Sequence, residues 1–222
     1  MRHLNRWSLI AGAAAVAALA GCAGLMPGKT GMSFFVTSAN PGKGGDLGGL
    51  AGADAHCQQL ATAAGAGNRS WRAYLSAQPS NSGPGVNARD RIGKGPWINA
   101  KGVVVASDVE QLHGSASNLS KQTALTERGA VINGRGDTPN NHDVLTGSQP
   151  NGHFIAGDTN TTCANWTMGD KGSAMVGHHD RTGLDDSAPA KSWNSSHPSR
   201  GCSLDQLKPT GGAGLYYCFA AD

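Results

Sequence analysis

The sequence predicts an α+β domain over residues 32–222, with one main N-terminal helix, short mixed and antiparallel strands and a long loop region. Glycine is abundant, at 33 of 222 residues, whereas aromatic residues make up only 5%. Such a composition is typical of turns and short strands and excludes a helical bundle. Helical periodicity is confined to one segment near the front of the domain, and no internal repeat is visible. Together these observations predict the fold class.

The first 22 residues have the features of an export signal. A short basic start precedes an uncharged, alanine-rich run from Leu9 to Ala20, which is too short to span a bilayer permanently. The stretch Leu19-Ala20-Gly21-Cys22 resembles the lipobox of bacterial lipoproteins. The resemblance implies a signal peptide over residues 1–21, acylation of Cys22 and a tether over residues 22–31. Since the aspartate of the inner-membrane retention signal does not follow Cys22, we expect an extracytoplasmic protein, lipid-anchored in the bacterial outer membrane.

Three elements are predicted at the front of the domain. Ser33–Ser38 is rich in aromatic and β-branched residues, which favours a strand. Ala53–Ala64 follows a glycine-rich turn and places its apolar residues on one helical stripe, with Asp54 in the first turn, where a carboxylate is favourable. Gly65 ends this helix. Trp71–Ser76 alternates between apolar and polar residues, as a half-buried strand does.

The rest of the chain shows only short strand patterns. Residues 107–142 carry weak patterning and are expected to decorate the core. The remaining strand candidates share short apolar or β-branched runs between turn residues; they are residues 96–98, 103–105, 143–146, 162–167, 174–177 and 215–220.

The cysteine count agrees with export. If Cys22 carries lipid, four of the five cysteines remain, namely Cys57, Cys163, Cys202 and Cys218. An even number in an oxidising compartment predicts two disulfides, and three pairings are possible. The alternative of a zinc site lacks any Cys-x-x-Cys spacing.

Several segments, taken in order, resemble the endostatin domain, which has a C-type-lectin-like fold. The first is GGLAGADAHCQQLATAAG followed by SWRAYLSA; the others are residues 87–91, 96–99, 145–152, 162–166 and 215–219. The resemblance implies an endostatin-like, C-type-lectin-like domain with nested disulfides, Cys57 to Cys218 and Cys163 to Cys202. By loop entropy, the longer crosslink would stabilise the fold by roughly 4–5 kcal/mol.

Two turns are similar to the calcium and sugar site of C-type lectins. They are Gln149-Pro150-Asn151 and Trp193-Asn194-Ser195. In that family the corresponding residues hold calcium, which then binds sugar hydroxyls. Here Gln149, Asn151 and Asn194 are neutral, whereas calcium favours a ligand set that includes carboxylates. We therefore expect no cofactor, and Gln149, Asn151, Trp193 and Asn194 are candidates for direct ligand binding.

A basic stretch is the second candidate site. Six Lys or Arg residues and a single carboxylate lie between residues 69 and 101. Arginine forks match sulfate and phosphate groups, so such a stretch can bind sulfated glycans or other polyanions. The endostatin resemblance implies the same, because that family binds heparin through scattered surface arginines. The candidates are Arg69, Arg72, Arg89, Arg91 and Lys94. The net charge of the whole chain, +3, gives no sign of nucleic-acid binding.

The third candidate is a metal site at His178-His179-Asp180. Adjacent histidines in a strand point to opposite faces, so His178 and His179 do not easily bind one ion. Zinc needs three or four converging ligands, so further histidines would have to lie close in the fold. The sequence offers His142, His153 and His197 for this role.

No sequence motif of catalysis is visible. The chain lacks a Gly-x-Ser-x-Gly elbow, a phosphate loop and a His-Glu-x-x-His helix. We therefore expect a non-enzymatic binding module for a glycan, a polyanion or an extracellular protein. Two alternatives remain open: a metal-dependent hydrolase centred on His178, His179 and Asp180, and a structural envelope lipoprotein.

Overall fold

The computed structural model describes Met1 and residues 31–81 and 83–222. The expected signal peptide, Cys22 and nearly all of the tether lie outside these residues. The described residues form four helices and short strands, which confirms the mixed helix and strand content. The helices are α1 (Gly49–Ala63), α2 (Val109–His113), α3 (Cys163–Trp166) and α4 (Leu204–Leu207). The strands are β1 (Phe34–Val36), β2 (Trp71–Ala73), β3 (Trp97–Ile98), β4 (Val104–Ala106), β5 (Asp143–Leu145), β6 (Met175–His178), β7 (His197–Pro198) and β8 (Gly212–Ala220).

The long strand β8 organises the main sheet. The strand order is β1-β8-β5-β6-β7, and β2 also pairs with β8. Only β5 runs parallel to β8; the other neighbours pair antiparallel. Eight of the nine residues of β8 are buried, as expected for a strand covered on both faces. Strands β3 and β4 form a separate antiparallel pair.

Helix α1 is joined to the sheet by a disulfide. Cys57 on α1 is bonded to Cys218 on β8, and Cys163 is bonded to Cys202, so both implied pairings are present. Ala53, Cys57 and Ala61 form the buried stripe of the helix. The helix begins at Gly49, four residues earlier than expected, so the placement of Asp54 in the first turn was wrong. Asp54 is buried instead.

The strand predicted at residues 162–167 is wrong, because α3 is a left-handed helical turn. All four residues from Cys163 to Trp166 have φ between 47° and 69°. This conformation costs roughly 1–2 kcal/mol per residue. The tertiary contacts that offset the cost are the disulfide at Cys163 and a hydrogen bond of 2.8 Å from Trp166 Nε1 to the carbonyl oxygen of Ser76. The side chain of Asn165 also makes two hydrogen bonds with the backbone of Gln78: its Oδ1 accepts from the N–H, and its Nδ2 donates to the carbonyl oxygen.

Among the described residues, no helix has both the length and the apolar character needed to cross a membrane.

Candidate functional site

The two lectin-like turns come together, but their polar groups point into the protein. Asn194 is buried, and its Nδ2 donates to the carbonyl oxygens of Gln149 and Pro150, both at 3.1 Å. The same amide donates to the hydroxyl of Tyr74 at 2.9 Å. The ring of Trp193 packs against Tyr74, with ring centres 4.8 Å apart. Asn194 and Trp193 therefore brace the two turns against the core.

The other two residues of these turns also make local hydrogen bonds. Gln149 Nε2 donates to the carbonyl oxygen of Phe154, and Asn151 Oδ1 accepts from the backbone N–H of His153. Asn151 is exposed, whereas the amide of Asn194 is buried. The hydrogen bonds of Asn194 hold one turn to the other.

In the basic stretch, one buried carboxylate holds two of the arginines. Asp54 Oδ1 accepts from Arg91 Nη2 at 2.5 Å, and Asp54 Oδ2 accepts from Arg72 Nη1 at 2.8 Å. Asp54 Oδ1 also accepts from the backbone N–H of Ala73 on β2 at 2.9 Å. These bonds tie α1 to β2 and to the loop that carries Arg91. The guanidinium of Arg91 is thus a buried part of the fold, whereas that of Arg72 is paired but half exposed.

Two further arginines of the stretch are also paired. Arg89 contacts Glu110 at 2.5 Å and Arg69 contacts Asp222 at 3.2 Å. Lys94 is exposed and has no ion-pair partner among the residues that the structure describes. The predicted polyanion surface therefore has most of its charge offset within the chain.

The register of the sheet places three other polar residues on one face. Asp143 of β5 lies directly opposite His178 of β6, and directly opposed residues share a face. His197 of β7 lies opposite Val176. Val176 and His178 are two residues apart in β6 and therefore lie on the same face of the sheet. His197 consequently shares this face with Asp143 and His178. Strand pairing alone thus brings Asp143, His178 and His197 together.

The distances at this face are short. His178 Nε2 lies 3.3 Å and His197 Nε2 3.5 Å from Asp143 Oδ1. His142 Nε2 lies 3.2 Å from the same oxygen. The side chain of Asp143 is 1% exposed, and neither of its oxygens accepts a hydrogen bond from a described residue. We call Asp143, His142, His178 and His197 the histidine cluster.

Burial and the neighbouring histidine rings shift the pKa of Asp143 in opposite directions. Burial by itself would raise the pKa of this carboxyl, but the nearby His178 and His197 more than offset it and lower the pKa to about 2. Asp143 is therefore anionic at neutral pH. The contact with Asp143 in turn raises the pKa of His197.

His142 differs from the other two histidines of the cluster. Its Nδ1 and Nε2 each lie 3.2 Å from a backbone carbonyl oxygen, those of Thr182 and Thr210. Burial would lower the pKa of His142, but Asp180 and Asp143 raise it overall. Both ring nitrogens therefore face carbonyl oxygens, which can only accept a hydrogen bond. The ring stacks on that of His178, with centres 4.1 Å apart.

The group His178-His179-Asp180 does not converge. His179 points away from the cluster: its Nε2 donates to the carbonyl oxygen of Asn133 at 3.2 Å. Asp180 lies beside His142 and accepts from the backbone N–H of Arg135 at 2.6 Å. Of the histidines named as possible additions, His142 and His197 reach His178, whereas His153 is an exposed residue of the Gln149 turn. Asp143 was not singled out in the sequence, because its partners are 35 and 54 residues away and no local pattern links them.

The three histidines of the histidine cluster, His142, His178 and His197, form part of the wall of a large cavity of about 1010 Å³. Apolar residues from the loops and from α4 line one side, including Leu184 and Leu204. The side chains of Arg135 and Arg200 reach the cavity, are exposed and have no ion-pair partner within the described part of the chain. Lys208 also lines it and pairs with the exposed Asp205 at 2.9 Å.

Glycines at the start of β8 keep this cavity open. Gly211 has a φ of 102°, and a Cβ there would lie 2.7 Å from the ring of His142. The next residue, Gly212, lies opposite Asp143 in the register. A larger side chain at Gly211 would therefore displace the ring that stacks on His178.

Comparison of the chain with protein-family models and with curated protein sequences found no match. The functional argument therefore depends on the chemistry of the site.

Proposed function

We propose that this protein is an exported, lipid-anchored binding module of the endostatin-like, C-type-lectin-like fold, and that it binds an acidic glycan in the large cavity. The disulfides support the fold: one joins the first helix to the last strand, and the other joins residue 163 to the loop after Trp193-Asn194. The resembled family joins the same first helix and last strand, whereas Cys163 lies on the turn α3 and not on the central strand that the resemblance implies. Two disulfides also favour an oxidising compartment outside the cytoplasm.

The composition of the cavity wall carries the choice of ligand. Arg135 and Arg200 offer guanidinium groups that are free to bind carboxylate or sulfate. Asn140 and Asn141 offer amides, which hydrogen-bond sugar hydroxyls. Leu184 supplies apolar surface for the faces of sugar rings. A cavity of this size suits a few sugar units.

The proposal moves the binding site away from the predicted basic stretch. There, Arg72 and Arg91 serve Asp54, so their removal would change stability together with any binding. Arg135 and Arg200 form no ion pair among the residues that the structure describes. Substituting these two arginines therefore tests binding more directly than substituting Arg72 and Arg91.

The experiment is calorimetric titration of the protein with a heparin-derived hexasaccharide and with oligogalacturonate, using neutral maltohexaose as the reference. We expect the double substitution Arg135→Gln and Arg200→Gln to weaken binding of an acidic oligosaccharide at least tenfold, which is about 1.4 kcal/mol. The matched control removes two exposed cations elsewhere, Lys94→Gln and Lys101→Gln, and should change affinity less than twofold.

Each other outcome contradicts the proposal. A loss confined to the Lys94 and Lys101 variant would return the site to the basic stretch. No binding of any acidic oligosaccharide by the wild-type protein would favour the structural envelope role. Shortened sugars in the reaction mixture would favour the metal-dependent hydrolase.

A further inference from the structure

We propose that Asp143, His178 and His197 bind a divalent cation of the zinc class at the wall of the large cavity. This inference goes beyond glycan binding and does not depend on it, since the cation site is built from the sheet register alone. The three residues share one face of β5, β6 and β7.

The first argument is the orientation of the two imidazoles. His178 Nδ1 donates to the carbonyl oxygen of Ala190 at 2.8 Å, and His197 Nδ1 donates to that of Pro198 at 3.1 Å. A hydrogen bond at Nδ1 fixes the proton there and leaves the Nε2 lone pair free for a metal. Both Nε2 atoms then face Asp143.

The second argument is spacing. Zinc-to-ligand bonds of about 2.0–2.1 Å place the ligands of a tetrahedral site about 3.3 Å apart. His178 Nε2 and His197 Nε2 lie 3.3 and 3.5 Å from Asp143 Oδ1. These two separations, each from Asp143 Oδ1 to a nitrogen, match two edges of a tetrahedral zinc site, and two imidazoles with one carboxylate are a common ligand set for zinc.

The third argument is that the polar atoms lack other partners. Asp143 Oδ1, Asp143 Oδ2 and His178 Nε2 are buried, and none makes a hydrogen bond within the described part of the chain. The nitrogens lie close to the carboxylate, but the geometry at Oδ1 is not that of a hydrogen bond. A cation between the three groups would give Asp143 Oδ1 and His178 Nε2 a partner.

The possible ligand atoms of His142, Asp143 and His178 lie within 4.8 Å of one another, but His142 is better placed as a neighbour than as a ligand. Both of its nitrogens face carbonyl oxygens, and its ring lies nearly parallel to that of His178, at 12°. A metal in the plane of one of these stacked rings lies outside the plane of the other. His142 therefore orients His178 through the stack and contacts Asp143 from the side.

The site would be open towards the cavity. The side chain of His197 is 34% exposed and lines the cavity, whereas Asp143 and His178 form its buried side. Three protein ligands leave a fourth position of a tetrahedral ion for an outside molecule. A carboxylate or sulfate held by Arg200 is a suitable ligand for that position.

The test is metal titration of the full-length chain. After removal of metal with a chelator, the protein is titrated with zinc at pH 7.5 by calorimetry and with cobalt(II) by visible absorption. We expect one equivalent of zinc with a dissociation constant of about 1 μM or tighter, and the cobalt spectrum of a tetrahedral site. His197→Ala should weaken zinc binding at least about tenfold and reduce the cobalt absorption.

Two further variants keep the result interpretable. His153→Ala removes an exposed histidine away from the cluster and should bind zinc as the wild type does. Asp143→Asn removes the buried ligand, and circular dichroism shows whether this variant folds. If it does not fold, His197→Ala, at the half-exposed position, tests the site instead. Binding of less than half an equivalent by the wild type, or unchanged affinity in His197→Ala, would overturn the proposal and leave an ion-pair network of Asp143 with protonated histidines.

Discussion

Replacing Asp54 by asparagine tests whether the arginines of the basic stretch belong to the fold. Asp54 accepts three hydrogen bonds, from Arg91, Arg72 and the backbone of Ala73. Its side chain is 12% exposed, and that of Arg91 is 14% exposed. The amide of asparagine keeps one acceptor oxygen but loses the charge. The guanidinium of Arg91 would then be buried without a counter-ion.

The expected cost follows from the burial of each pair. Removing one partner of a buried ion pair costs roughly 3–5 kcal/mol. The pair with Arg72, whose side chain is 51% exposed, adds at most about 0.5 kcal/mol after screening by solvent. The remaining amide oxygen and a bond from Arg91 Nε to the carbonyl oxygen of Ala73 at 3.3 Å recover part of the loss. We expect Asp54→Asn to lower the free energy of unfolding by about 3 kcal/mol.

Urea denaturation measures this change. With a slope of about 2 kcal/mol per molar urea, the midpoint should fall by about 1.5 M. The matched control is Asp186→Asn, which removes an equally short ion pair with Lys191, at 2.6 Å, but on a carboxylate that is 93% exposed. Its midpoint should not move measurably. A midpoint shift below about 0.5 M for Asp54→Asn would refute the structural role of the pair and restore Arg72 and Arg91 as candidates for ligand binding.

Three other expectations concern the core, the pH dependence and the anchor. Gly177→Ala places a Cβ 1.9 Å from the carbonyl oxygen of Trp193, so it should prevent folding or lower the melting temperature by more than 10 °C; a shift under 2 °C would contradict this crowding. Burial lowers the pKa of His113, whose Nε2 accepts from the hydroxyl of Tyr74, so the folded state binds fewer protons and loses stability as the pH falls below about 6.5. His113→Gln should reduce the loss of unfolding free energy between pH 7.5 and 5, and an unchanged pH dependence would argue against the assigned tautomer. Cys22→Ser should abolish labelling by a palmitate analogue and release the protein from the membrane fraction, and persistent labelling would contradict the lipobox.

Local patterns predicted the elements whose stability is largely local or apolar. The aromatic and β-branched residues around Phe34 predicted β1, and the apolar stripe through Cys57 predicted α1. The apolar run before Ala220 predicted β8, which the structure extends back to Gly212. In α1 the apolar stripe is the buried face, whereas β1 and β8 are buried on both faces.

Local patterns failed where a distant contact decides the backbone. The residues from Thr162 to Thr167 have the composition of a strand, yet Cys163 to Trp166 take a left-handed turn. Distant contacts with Cys202, the Ser76 carbonyl and the backbone of Gln78 stabilise that turn. Helix α4, which no predicted element covers, carries a capping box between Ser203 and Gln206, and this signal is local in the sequence.

The sequence by itself determined a domain of mixed helices and strands, with one amphipathic helix near its front and with His178 and His179 on opposite faces. These properties depend on periodicity and composition, which are visible in neighbouring residues. Only the tertiary structure decided that Asn194 braces two turns, that Asp54 binds Arg72 and Arg91, and that Asp143 meets His197. Those contacts join residues 18 to 54 positions apart, and their partners are selected by strand register and loop packing, which no short stretch of sequence specifies.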